Sequence, residues 1–533
     1  MIRILKSTMW VALVLTLIFG SATATFAYEK SDTGPEDTVT THKEDDQSTQ
    51  GKAGNGNDET PGEWYAGDAP TNPVPNAPVL LFVPGLNNIA QIFWEDNDMR
   101  ETAREAGYQT AFVQLHDAGG ASADMWDNGE LLAEKVEEIS EHFDGRKVAI
   151  IAYSKGGVDT HTAMTYYGAS EYVDNVITLS SPHHGSQLAD LAYSSWAGWL
   201  ADLIGATGDG TYSLQMGNME EFRAEIDNEP GAYAANYYTL GGTDWGSMFS
   251  STWFGGTYLS QYGSNDGVVT TASSALPGGQ ELAIGEWNHT SIRTGETFSE
   301  FENYLMAASS LSKTATFPGE SVKDEMTPTG TQWVHGGPLE KGVTNNTSIS
   351  IEEDVEQVQL QVLTSEPLAD LQLKDTAGKE AATKVQSHKT EEGVFAGAHQ
   401  YSLTVEKPEA GEWELSIDAK DDSGYLLVAD YDTKADLLQG GTGLVDQSQQ
   451  VSYQLNLNPK EVQSNSIKAT YRITQSNNPA NSKTYHINGQ TNVSQNFSVT
   501  KNEEVYNITI DIEGLSKSGK PFKRTVIDSV YVD

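Results

Sequence analysis

The chain contains no cysteine, which removes disulfides, thiol nucleophiles and cysteine-ligated metal from its repertoire. Positive charge is scarce as well. Lys and Arg total 32 against 75 Asp and Glu, a formal net charge of -43, and such a surface repels phosphate backbones and anionic headgroups. Nucleic acid is therefore not expected as a partner. Long apolar runs are also missing: the most apolar stretch, Met9 to Phe19, is well short of the ~20 residues a membrane span needs. No stable span is expected.

What is present divides by texture. Arg3 and Lys6 precede the short apolar run, and small residues follow it with cleavage positions after Ala24 or Ala27. Residues 1–27 thus read as a secretory signal peptide, and the protein is expected to be secreted. Residues 28–77 are acidic, rich in Gly, Thr and Pro and poor in aliphatics, the composition of a disordered linker. With 533 residues in the chain, two to four domains are expected.

From residue 78 to 308 apolar runs ("VLLFV", "YQTAFVQL", "KVAIIAY", "VDNVITLSS") alternate with amphipathic helical patterns ("DNDMRETAREAG", "NGELLAEKVEEISEHF"). That alternation predicts an α/β fold with a mostly parallel sheet. Beyond it, 320–458 and 459–533 alternate polar and apolar residues between turn signals, which predicts two all-β, sandwich-like modules.

One serine stands out. Ser154 lies in Ala152-Tyr153-Ser154-Lys155-Gly156, a variant of the G-x-S-x-G turn with alanine in the first small position. The string alone is weak; its context, an apolar strand before and a helix-compatible segment after, is what a nucleophile elbow requires. The plain alternative is a serine capping the next helix.

A serine hydroxyl needs a histidine to take its proton and a carboxylate to orient that histidine. Of the 11 histidines, His289 in "IGEWNHTSI" follows an apolar strand downstream of the serine, where a base belongs. Asp266 in "YGSNDGVV" suits the acid, with Asp244 in "LGGTDWG" as its rival. For the oxyanion hole, Lys155 supplies one backbone N–H and Leu86, after the Pro84-Gly85 turn of "LLFVPGLNN", supplies the other.

Together "FVPGL", "AYSKGG", "LSSPHHGS", "SNDGVV" and "WNHTSI" resemble the secreted bacterial lipases and esterases of the α/β-hydrolase superfamily, with related patterning in extracellular polyhydroxyalkanoate depolymerases. The resemblance implies carboxylester hydrolysis with Ser154 as nucleophile, Asp266 as acid, His289 as base and Leu86 and Lys155 as oxyanion donors. It calls for no cofactor and no metal. Where some such lipases carry a calcium aspartate after the histidine, this chain has Ser291. Trp196, Trp199 and Leu200 fall near helical spacing in "SQLADLAYSSWAGWLADLIG", either a substrate-contacting lid or ordinary core helices.

The expected partner is an ester or lipid, at an interface or an insoluble particle, and no motif speaks to oligomeric state. Two alternatives to a lipase or esterase stay open: a polyester depolymerase, and a non-catalytic hydrolase-like scaffold in a surface-binding protein. The C-terminal modules are expected to help bind an insoluble substrate or to shield the catalytic part.

Overall fold

The computed structural model describes residues 40–42, 59–119, 122–247, 250–306, 326–381, 385–390, 393–445, 450–499 and 503–532. The signal peptide expected over residues 1–27 lies outside these. An eight-stranded sheet organises the first half. Its strands are β1 (Thr40–His42), β2 (Trp64–Ala66), β3 (Val79–Val83), β4 (Gln109–Val113), β5 (Val148–Tyr153), β6 (Val173–Leu179), β7 (Asn236–Gly242) and β8 (Gln280–Gly285). They lie in the order β1-β2-β4-β3-β5-β6-β7-β8, with β3 to β8 parallel and β1 and β2 antiparallel.

The continuous apolar runs predict this burial, because a parallel sheet is covered on both faces. Along β3, Val79, Leu81 and Val83 enter one core while Leu80 and Phe82 enter the other. Helices α1 (Met99–Glu105), α2 (Met125–His142) and α3 (Gly156–Tyr166) connect the strands. The start of α2 is fixed by Asp124, whose carboxylate accepts the amides of Trp126 and Asp127, both at 2.9 Å. Leu132, Val136 and Ile139 then form the stripe that packs against Val79, Leu81 and Ile150. The chain leaves β3 toward β4 and returns to β5 on β3's other side, so a crevice opens at the carboxyl ends of β3 and β5.

Two expectations are corrected. The linker expected over 28–77 is not wholly unstructured: Trp64–Ala66 forms a buried strand that pairs with Thr40–His42 on one side and with β4 on the other. Trp64, wholly buried against Val136 and Ile139, offsets the polar composition around it. The boundary between the β modules falls earlier than Asn458. Strands Leu438–Val445 and Gln450–Leu457 pair with Gln495–Ser498, and Val451, Tyr453 and Leu455 share a core with Tyr471 and Ile508.

The first module spans Gln332–Leu339 to Ser423–Thr433 as a five-stranded and a three-stranded antiparallel sheet around one core. In the second, a three-stranded and a four-stranded sheet do the same as far as Pro521–Val532. A further apolar cluster joins them to the first half: Leu188, Leu200, Phe254 and Tyr258 pack with Val334, Phe395, Leu426 and Ile527.

Candidate active site

Ser154 sits at the carboxyl end of β5, immediately before α3, with φ 54°. A non-glycine residue in this left-handed region costs on the order of 1–3 kcal/mol and persists only where the surroundings over-determine it. Here they do. Ser154 N–H donates to Leu179 O at 2.9 Å and Gly157 N–H to Ser154 O at 3.0 Å. A Cβ at Gly85 would lie 2.6 Å from the Ser154 Cβ, and one at Gly156 would lie 2.3 Å from the Pro84 carbonyl oxygen. The small residues are needed because two backbones meet at the serine.

His289 Nε2 is 3.1 Å from Ser154 Oγ, and its Nδ1 is 2.7 Å from Asp266 Oδ2. The other carboxylate oxygen of Asp266 accepts the amides of Val268 and Val269 at 2.9 and 2.8 Å. The backbone ties the pair a second time, with His289 N–H donating to Asp266 O at 2.9 Å. Asp266 and His289 are buried, and Ser154 keeps 8% of its surface exposed. With Nδ1–H held by the carboxylate, Nε2 is left free to accept the serine proton. Asp244 does not compete: exposed, it accepts the Gly246 amide at 2.8 Å.

The turn after β3 closes with Asn88 N–H donating to Gly85 O at 3.1 Å, which brings Leu86 to the pocket beside Ser154. Among the described residues neither the Leu86 nor the Lys155 amide has a protein acceptor, the condition an oxyanion donor must meet. Tyr153 packs on the His289 ring at 4.9 Å between centroids, and Arg293 holds the Tyr153 hydroxyl at 2.9 Å. These two are missed by sequence reasoning, although Arg293 lies close after His289.

Trp196, Trp199 and Leu200 do not line the pocket at Ser154. They belong to the segment carrying α4 (Gln187–Ala192) and α5 (Gly198–Ile204), which faces the β modules. The Trp196 ring stacks on His335 at 4.5 Å, donates its N–H to Asp511 at 2.8 Å and lies under the Arg472 guanidinium at 4.8 Å. Leu200 is buried beside Gly424, whereas Trp199 is 58% exposed.

The pocket at Ser154 holds only about 30 Å³, and Gly393 and Val394 of the first module form part of its wall. That is room for about one water molecule. Their loop joins strands Gln386–Lys389 and His399–Glu406, and the Phe395 ring meets Phe254 edge-on at 5.5 Å. A far larger hollow of about 960 Å³ lies between Trp199, Tyr212 and Arg472, with none of the Ser154 chemistry in it.

No family model matches the sequence and no curated protein matches it. Among solved structures, the chain is 33% identical to Bacillus licheniformis lipase BlEst2 in its propeptide form, with a TM-score of 0.75 over 89% of this chain and 98% of that one. The mature form of the same enzyme is 47% identical over 46% of this chain and 99% of that one, with a TM-score of 0.44. The chain belongs to the α/β-hydrolase lipase and esterase family of this Bacillus enzyme.

Proposed function

We propose that the protein is a secreted serine carboxylester hydrolase acting through an acyl-enzyme. The observation that carries the reading is the unbroken hydrogen-bond chain from Ser154 through His289 to Asp266. Ser154 Oγ gives its proton to His289 Nε2 and adds to the ester carbonyl carbon, while Asp266 stabilises the imidazolium. The oxyanion is held by the Leu86 and Lys155 amides. Collapse breaks the ester C–O bond and His289 returns the proton to the departing alcohol. Water then attacks the acyl-Ser154 ester by the same route in reverse, releasing the carboxylic acid.

Access is the second part of the proposal. With the tip in place, a pocket of about 30 Å³ walled by Val394 leaves no room for an acyl chain, so substrate enters only when the tip moves aside, and the related lipase has been crystallised in a propeptide form. We infer that this chain is a latent form in which the hairpin tip at 393–398 stands where substrate enters. Incubating the full chain and its Val394→Gly/Phe395→Ala variant, in which the bulk of the tip is removed, with a fluorophosphonate probe tests the chemistry: labelling at Ser154, faster in the variant and abolished by Ser154→Ala, is expected, whereas a folded variant that stays unlabelled like the wild type would favour the non-catalytic scaffold. A panel of p-nitrophenyl esters, a triglyceride emulsion and a polyester film sorts the substrate class.

A further inference from the structure

Behind the Ser154 elbow, side chains that take no part in the proton transfers close a buried network. Lys155 Nζ lies 2.7 Å from Asp159 Oδ1 and 4.0 Å from Asp117 Oδ2. The Asn128 amide bridges the two carboxylates, donating to Asp117 Oδ2 at 2.6 Å and to Asp159 Oδ2 at 3.1 Å. Its carbonyl oxygen accepts the His116 amide at 3.1 Å. The last free oxygen, Asp117 Oδ1, accepts the N–H of Asn87 at 3.0 Å. Asn87 follows Leu86 directly and is itself left-handed, with φ 56°.

The network draws on the loops after β3 and β4 and on α2 and α3, and all four side chains are buried. Burial alone would push the Lys155 ammonium toward neutrality; Asp159 and Asp117 outweigh it and hold the group above its ordinary range. Burial raises the Asp159 carboxyl against the pull of Lys155, with Asp117 adding to the rise. Charges so enclosed tolerate no loose geometry, because an unpaired one carries its full desolvation cost.

We propose that Asp117, with Asn128, Asp159 and the Lys155 side chain, is a positioning group for the oxyanion hole. Its carboxylate fixes the Asn87 peptide, and through it the backbone angles of Leu86, relative to an elbow whose own donor residue is anchored in the same cluster. One buried cluster thereby sets the separation of the two N–H groups that receive the developing charge. The inference rests on the serine-hydrolase reading and adds residues to it.

The test uses the full chain carrying Asp117→Asn, an isosteric change that turns an amino group toward either Asn128 and Lys155 or the Asn87 amide. Three quantities are read: kcat and KM on p-nitrophenyl acetate, the rate of Ser154 phosphorylation by diethyl p-nitrophenyl phosphate followed by intact mass, and Tm. Displacement of reacting groups by about 1 Å costs on the order of 100-fold, so kcat and the phosphorylation rate are expected to fall together by about 10- to 100-fold. KM should stay within about two-fold, as positioning acts on the transition state. Asp159→Asn, which acts from the far end of the cluster, is expected to lower the same two rates by less and serves if Asp117→Asn does not fold. Wild-type rates in a folded variant, with only Tm reduced, overturn the proposal. Wild-type turnover in Ser154→Ala would instead overturn the serine-hydrolase reading and leave the network unexplained.

Discussion

The elbow at Ser154 and the hairpin tip at 393–398 meet in one pocket but are built on opposite principles. The elbow is compact: Ala152 to Gly156 hold the proposed nucleophile and one proposed oxyanion donor, and Gly85 and Gly156 let two backbones meet at the serine. The tip is remote, carries no reactive group, and in the proposed latent form would act by occupying space, with Val394 and Phe395 buried against Val268 and Phe254. The proposed chemistry centres on one tight turn, with its base and acid brought in from later loops, and the proposed control over it lies further still along the chain.

The sharpest way to probe the chemical side is to compare the two aspartates. Asp266→Asn is expected to lower kcat by about 10⁴-fold by reversing the hydrogen bond that sets the His289 tautomer, whereas Asp244→Asn should leave kcat within about two-fold. Steady-state kinetics on a short p-nitrophenyl ester measures both, and an exchange of the two effects would transfer the role of acid to Asp244.

The control side predicts a gain. Val394→Gly with Phe395→Ala removes a side chain that walls the pocket and the ring that packs the tip on Phe254, and hydrolysis of a short ester by the full chain should rise by about 10-fold, the factor that 1.4 kcal/mol of weakened closure produces. An unchanged rate at unchanged Tm would mean that substrate enters by another path.

The smallest effect concerns the contact between the halves. Asp190, on α4, is held well above the ordinary carboxylate range by burial and then by the charge of Asp528. A carboxyl raised in the folded state favours folding at low pH and opposes it increasingly as pH rises through the unfolded value toward the folded one. Asp190→Asn keeps an oxygen for the Met216 amide, which Asp190 Oδ1 accepts at 3.1 Å. Its Tm should exceed wild type by on the order of 2 °C at pH 8 and by less at pH 4. Equal gains at both pH values would show that ionisation of Asp190 is not the cause.

Much of the fold was legible because it rests on patterns short enough to see in one segment. The runs "VLLFV" and "KVAIIAY" became β3 and β5, and the helical stripe of Leu132, Val136 and Ile139 became α2. Ser154, Asp266 and His289 could be nominated in chain order, and the structure brings those three side chains together. The strand Trp64–Ala66 was hidden because a single buried tryptophan does not outweigh a polar neighbourhood in composition. Asn128 and Asp117 were hidden because a buried amide or carboxylate looks like a solvated one until its partners are in place. Trp196 misled for the opposite reason: an apolar stripe says that a face is covered, not by what, and the cover is His335, Arg472 and Asp511.

The final described strand, Pro521–Val532, lies against the first half through atoms with almost no slack. Ser529 Oγ accepts the Gly217 amide at 2.8 Å across a sequence separation of 312 residues, and a Cβ at Gly217 would come within 2.7 Å of Val530. Translation makes the elbow long before it makes this clasp. During that interval Leu188, Leu200, Phe254 and Tyr258 have no cover, so a nascent chain presents an adhesive apolar face to whatever is nearby. A ribosome pausing late in the message would lengthen that exposure, and the yield of folded protein should depend on the speed with which its last third is synthesised.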